Sequence, residues 1–78
     1  MKSYTYNNKI YSLKNVESIN YFTSEQNYNL NKVNLYTIII KYNNNGLNVI
    51  PDNILYFNTY KSSKNSLNDI NCILESKF

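Results

Sequence analysis

Residues 35–42 read LYTIIIKY, a run made almost entirely of β-branched, aromatic and other apolar side chains. Such residues are enriched in strands because they fit a pleated, half-buried surface. Successive side chains of a strand point to opposite faces. One face of this strand then carries Tyr36, Ile38, Ile40 and Tyr42, and the other carries Leu35, Thr37, Ile39 and Lys41. Both faces are partly apolar, so both need to be covered.

The same two-residue alternation continues on either side of this run and predicts several short strands. We expect strands at about 3–6, 9–13, 16–23, 35–42, 47–50 and 54–60. The pair Asn7-Asn8 accepts the positive φ of a tight hairpin turn, and Pro51 favours an edge or a bulge because it has no N–H. Residues 24–34 are polar and patternless, and either a flexible loop or an extension of the next strand fits them.

The period of the apolar residues changes from 2 to 3.6 near residue 62, which predicts a helix over about 63–77 with Ser62 or Ser63 as its N-cap. At 100° per residue, four side chains share one helix face and a fifth lies beside them. These are Leu67, Ile70, Leu74 and Phe78, with Ile73 on the flank. Cys72 falls on the opposite side and is expected outside the core.

The predicted fold class is α+β: a small, antiparallel, strongly bent sheet of about five strands with one C-terminal amphipathic helix packed on one face. Short sequential connections favour a meander of neighbouring strands, and residues 1–78 are expected to form a single domain. One helix covers only one face of the sheet. The other face is left to sheet curvature, to a second copy or to a partner.

Composition limits the chemistry open to this chain. It has 17 Asn, 9 Tyr and 8 Lys, residues with A/T-rich codons, which indicates an AT-rich genome. The net charge of +3 is spread without blocks of like charge, so it produces only a mild positive field. A single cysteine excludes an intramolecular disulfide and favours a reducing cytoplasm. No apolar run approaches the ~20 residues of a membrane span, so no membrane role is expected.

Enzymatic function is not expected from this residue inventory. Histidine, the commonest general base and metal ligand, is absent. Cys72 therefore has no histidine to activate it, and one glycine cannot build a Gly-rich phosphate loop. Neither a metal nor a cofactor is expected.

The tyrosines favour binding, because their rings offer a large amphipathic area and are enriched at interfaces. Our leading hypothesis is a small, stand-alone protein-binding module, of the kind that phages and mobile elements use to inhibit a host protein or nucleoprotein, for example as an anti-CRISPR or other anti-defence protein. The alternatives are a single-stranded nucleic-acid binder and a structural homo-oligomer. The candidate binding residues are Tyr28, Lys32, Tyr36, Lys41, Asn44, Tyr56 and Tyr60; the nucleic-acid alternative uses Tyr36, Lys41, Tyr42, Tyr56 and Tyr60.

Overall fold

The computed structural model describes residues 2–44, 46 and 49–76, and within them it contains five strands and one helix. The strands pair antiparallel in two sheets: β1 with β2 in one, and β3, β4 and β5, in that order, in the other. Their bounds are β1 Ser3–Tyr6, β2 Lys9–Ser12, β3 Val16–Tyr28, β4 Asn31–Tyr42, β5 Asn53–Phe57 and α1 Tyr60–Glu75. The α+β class with a packed C-terminal helix is confirmed, and its strands are divided between two sheets.

The β1–β2 hairpin turns at Asn7-Asn8, as the sequence predicts. Both residues have positive φ, 51° and 62°, which is the geometry of the two-residue turn that suits twisted strands. β2 ends at Ser12, one residue earlier than expected, but the Leu13 N–H still donates to the Lys2 carbonyl at 2.9 Å. The hairpin is therefore closed at both ends.

Residues 24–34 extend the hairpin formed by β3 and β4. Residues 24–28 belong to β3 and residues 31–34 to β4, and their pairing continues to the pair Tyr28↔Asn31. The flexible-loop alternative is therefore wrong, and the extension of the next strand is correct only for residues 31–34. β5 pairs with β4 only over residues 36–40. The part of the β3–β4 hairpin that continues past β5, residues 24–35, is called the arm below. Its backbone pairs across two strands even though its composition is polar.

The region between β4 and β5 differs from expectation. Val49 and Ile50 lie outside any strand, and residues 47 and 48 lie outside the described part of the chain. Pro51 follows directly and cannot donate to a ladder, which explains why pairing resumes only at Asn53. β5 ends at Phe57 because the next segment turns into the helix.

The helix begins three residues earlier than predicted. Its N-cap is Thr59, whose hydroxyl accepts a hydrogen bond from the Ser62 N–H at 3.3 Å, the usual role of a capping side chain. Ile70 is fully buried and Cys72 is exposed, as expected. The rest of the predicted stripe packs against the core at Leu67, Ile73 and Leu74, and Phe78 lies outside the described residues.

The helix and the β1–β2 hairpin both cover the same side of the three-stranded sheet, called the inner face. Tyr6 of the hairpin packs its ring 4.9 Å from that of Phe57 in β5, and the helix places Ile70 in the same cluster. The inner face carries Ile19 and Tyr21 from β3, Tyr36, Ile38, Ile40 and Tyr42 from β4, and Leu55 and Phe57 from β5. This side of the sheet holds the hydrophobic core.

Two buried serines seat the helix on that core. Ser63 and Ser66 are 0% and 4% exposed, and their small side chains let the helix approach the strands closely. The Tyr4 hydroxyl donates to Ser66 Oγ at 2.7 Å, and the Tyr21 hydroxyl lies 2.8 Å from Ser63 Oγ. Since Ser63 donates its own proton to the Tyr60 carbonyl, Tyr21 supplies the proton for the second contact.

We predict that Ser66→Ala and Tyr4→Phe each lower the free energy of unfolding by about 1–2 kcal/mol, because each leaves a buried hydroxyl without its partner. The double variant should lose clearly less than the sum, since no unpaired hydroxyl then remains. Urea denaturation measures all three, with the exposed Ser24→Ala as control. Strict additivity would show that the hydroxyl contact contributes nothing.

Candidate functional site: an uncovered sheet face

The opposite side of the three-stranded sheet, called the outer face, has no element of the described chain packed on it. Directly paired residues share a face, so the register defines its rows. From the base of the sheet to the tip of the arm, these rows are Asn20–Ile39–Ile54, Phe22–Thr37–Tyr56, Ser24–Leu35, Gln26–Val33 and Tyr28–Asn31. None of these twelve side chains is charged.

Large apolar and aromatic side chains of the outer face are exposed to solvent. Phe22 is 53% exposed, Tyr56 60% and Tyr28 70%, and Ile54 and Val33 are also exposed. Isolated apolar residues on a surface are ordinary, but contiguous ones mark interaction surfaces. Phe22 and Tyr56 flank Thr37 in one row, so their rings form the centre of one patch.

The arm has two chemically different sides. Its outer side continues the apolar patch through Leu35, Val33 and Tyr28. The other side is polar and carries Glu25 and Lys32, whose charged groups lie 3.6 Å apart. The arm is thus amphipathic and electrically balanced, although both its sides face solvent.

The tip of the arm is a strained turn. Asn29 and Leu30 both have positive φ, 49° and 67°, which is the geometry that normally selects Asn-Gly. A leucine in the left-handed region costs about 1–2 kcal/mol. Leu30 is also fully exposed, so no packing within the described chain offsets this cost.

The protein exposes more surface to solvent than a compact monomer of the same mass would. The chain exposes 6042 Å², whereas a compact monomer of its mass exposes about 4,900 Å². Its radius of gyration is 14.2 Å and its longest dimension 46 Å, against about 12 Å expected for the radius. The projecting arm accounts for this elongation.

Three of the seven candidate binding residues lie on the outer side. Tyr56 is at the centre of the patch, Tyr28 is at the tip, and Lys41 is one row beyond Ile39. The Lys41 ammonium lies 3.8 Å from a Glu17 carboxylate oxygen, so this edge of the face is also electrically balanced. Lys32 lies on the polar side of the arm.

The remaining candidates lie elsewhere. Tyr36, a candidate binding residue, is half-buried on the inner face, and its ring is 6.0 Å from that of Tyr60 at the start of the helix. The Lys64 ammonium lies 4.5 Å from the Tyr21 ring and 5.6 Å from the Tyr60 ring. This cluster ties the helix to β3 through cation–π contacts.

Asn44 occupies a third place. Its side-chain oxygen accepts a hydrogen bond from the Ile50 N–H at 3.3 Å, which braces the segment after β4. Tyr42, part of the nucleic-acid alternative, is buried and donates its hydroxyl to the Ser12 carbonyl. The structure therefore does not bring the seven candidate residues together in one surface.

Sequence reasoning missed Phe22, Leu30, Val33 and Ile54. Phe22 was inside a predicted strand, but only the phase of β3 relative to β4 reveals which face it occupies. Alternation along β5 places Ile54 and Leu55 on opposite faces of the sheet, but nothing in the sequence indicates which of the two faces the helix. The strand pairing of the arm could not be predicted from the sequence, because polar residues such as Gln26 and Asn27 interrupt its apolar pattern.

Other features of the described residues offer less. A cleft of about 500 Å³ lies near the C-terminal end of the helix, lined by Lys2, Leu13, Lys14, Asn15, Val16 and Leu74. The Lys2 ammonium already donates to the Leu74 and Ser76 carbonyls. Within residues 2–44, 46 and 49–76, no three of His, Cys, Asp and Glu converge as a metal site. No helix in this part of the chain has the length and apolarity to cross a membrane.

Comparisons of the chain with protein-family models, with curated proteins and with solved structures find no significant match.

We predict that Leu30→Gly raises the free energy of unfolding by about 0.5–1 kcal/mol. The gain from removing left-handed strain exceeds the entropy that glycine adds to the unfolded chain. Leu30→Ala is the matched control, because it removes the exposed side chain but retains the strain. Urea denaturation compares them, and equal stabilities of the two variants would contradict the strain argument.

Proposed function

We propose that this chain is a non-catalytic protein-interaction module whose binding surface is the outer face of the three-stranded sheet. The observation that carries the proposal is the uncharged row Phe22–Thr37–Tyr56, whose two aromatic side chains are exposed, together with its apolar continuation along the arm. The core of a protein interface is likewise depleted of charge and enriched in aromatic residues.

The residues at the middle of the outer face support a specific interface. Tyr56 and Phe22 are central and aromatic, as residues that dominate binding energy commonly are. Their neighbours Thr37 and Ser24 are small, so both aromatic rings remain accessible to a partner.

The strained tip also supports an interaction role. Fully exposed Leu30 occupies a position where glycine would be more stable. Conformational strain that the surrounding fold does not relieve is found mainly at functional positions. A protein surface that packs against Tyr28 and Leu30 would supply the missing apolar contacts.

The wider biological role stays a sequence-based hypothesis. A small cytoplasmic phage or mobile-element inhibitor that docks on a larger host protein or nucleoprotein, as anti-defence proteins do, is compatible with an aromatic interaction surface. It requires that the outer face recognises a foreign protein.

The nucleic-acid alternative has less geometric support. Of its five residues, only Tyr56 and Lys41 lie on the outer side, and Lys41 is already paired with Glu17. Tyr36 and Tyr42 are on the inner face. If this alternative holds, binding to a labelled oligonucleotide weakens steeply with salt and with Lys41→Glu; an affinity that is indifferent to salt removes it.

The interaction proposal is tested with three tagged baits in a lysate of the native host: the wild-type chain, the double variant Phe22→Ser/Tyr56→Ser and the control Ile10→Ser. Ile10 is 72% exposed but belongs to β2 in the other sheet. We expect the wild-type and control baits to retain the same proteins, including any untagged copy of the chain. The double variant should retain at least ~10-fold less of them, because it removes the two aromatic anchors.

Circular dichroism on each bait separates loss of binding from loss of folding. Equal recovery of the same proteins by all three folded baits would contradict the assignment of the outer face. Recovery of no specific protein and no second copy by the wild-type bait would contradict the proposed function as a whole.

A further inference from the structure

We infer that the arm is an insertion element whose tip, Leu30, enters an apolar pocket on the foreign protein that the outer face binds. The inference rests on the proposed function, because it names the kind of partner surface that this module recognises. It also adds Leu30 to the aromatic anchors Phe22 and Tyr56 as a residue that determines which protein is bound.

The arm presents Leu30 at the end of a narrow projection. Five residue pairs, from Ser24↔Leu35 to Tyr28↔Asn31, lie beyond the end of β5, which corresponds to a length of about 17 Å. The projection is two strands wide, and paired strands lie about 5 Å apart. A partner with a flat surface would contact only one side of such an element, whereas a concave surface would contact both sides and the tip.

Leucine at this turn lowers the stability of the chain and adds an apolar side chain. Leu30 has φ 67° and is fully exposed, and its left-handed conformation lowers the folding equilibrium constant about 5- to 30-fold. Glycine would avoid this cost. Complete burial of a leucine side chain raises an association constant about 10- to 150-fold. Relative to glycine, the leucine therefore contributes a side chain that only a partner enclosing it can bury.

The charges of the arm do not oppose insertion. Residues 28–31 are uncharged, and the charged residue next to them, Lys32, has its ammonium 3.6 Å from a Glu25 carboxylate oxygen. Burial of the tip therefore removes no unpaired charge from water. Asn29 and Asn31 flank Leu30 in the sequence, and their amides suit the polar rim that surrounds the apolar centre of a protein interface.

The same groups favour a protein over a lipid surface. The amides of Asn29 and Asn31 need hydrogen-bond partners once they leave water, and a hydrocarbon interior supplies none. Peripheral membrane elements carry cations that meet anionic headgroups, whereas Lys32 is paired with Glu25. A protein pocket combines apolar walls with a few hydrogen-bonding groups, which matches a leucine between two asparagines.

Photo-cross-linking of the full chain identifies what the tip contacts. A leucine analogue with a diazirine group replaces Leu30 in one sample and Ile10, which is 72% exposed in the other sheet, in the control. After irradiation in a lysate of the native host, we expect position 30 to be joined to one protein at apolar residues, and excess unlabelled chain to suppress the product. Position 10 should not be joined to that protein. Products of position 30 with lipid, with a second copy or with no specific protein overturn the inference.

Calorimetric titration of the cross-linked protein, purified separately, tests the pocket. We expect Leu30→Ala and Leu30→Gly each to raise the Kd at least ~10-fold, although Leu30→Gly is the more stable chain, and Ile10→Ala to leave it unchanged. Leu30→Trp keeps the left-handed strain and enlarges the side chain, so it should also weaken binding to a pocket. Equal or tighter binding by Leu30→Trp, or unchanged binding by Leu30→Gly, overturns the inference.

These outcomes separate the inference from the function on which it rests. A partner that is lost with Phe22→Ser/Tyr56→Ser but kept with Leu30→Gly retains the proposed function and contradicts the inference. A set of retained proteins that changes with neither variant contradicts both.

Discussion

The fold depends on the contact between two tyrosine hydroxyls and two buried serines of the helix. Tyr4 of β1 and Tyr21 of β3 reach Ser66 and Ser63 respectively, so one helix face is bonded to both sheets. Small serines permit close approach, and their hydroxyls satisfy the tyrosines inside the core. These contacts lie on the covered side of the three-stranded sheet and fix the position of the helix there.

Because the helix packs on the inner face, the outer face of the three-stranded sheet stays exposed to solvent. The helix and the β1–β2 hairpin are the only elements of the described chain that could shield it, and both lie on the inner face. β4 is apolar on both sides, so covering one side leaves Ile39 and its neighbours on the other side with no element of the described residues packed over them. The proposed function follows from this imbalance, because the free energy available from burying the outer face is realised only on association.

The arm extends the same imbalance beyond the body of the protein. Its polar side is solvated and internally paired through Glu25 and Lys32, while its other side continues the apolar patch. Backbone pairing holds it in register past the end of β5, and a strained Asn29-Leu30 turn closes it. An exposed two-stranded ribbon is only marginally stable in water, and packing against another surface would stabilise it.

The sequence by itself determined the alternation of residues 35–42, the Asn7-Asn8 turn and the helix stripe that buries Ile70, because local sterics and apolar periodicity express these directly. Two matters needed the tertiary structure. The strand character of residues 24–34 comes from cross-strand register, which polar side chains do not encode locally. The orientation of Tyr36 inward and Tyr56 outward is decided by which face the helix and the β1–β2 hairpin cover, because a strand with two apolar faces does not itself specify which one is buried.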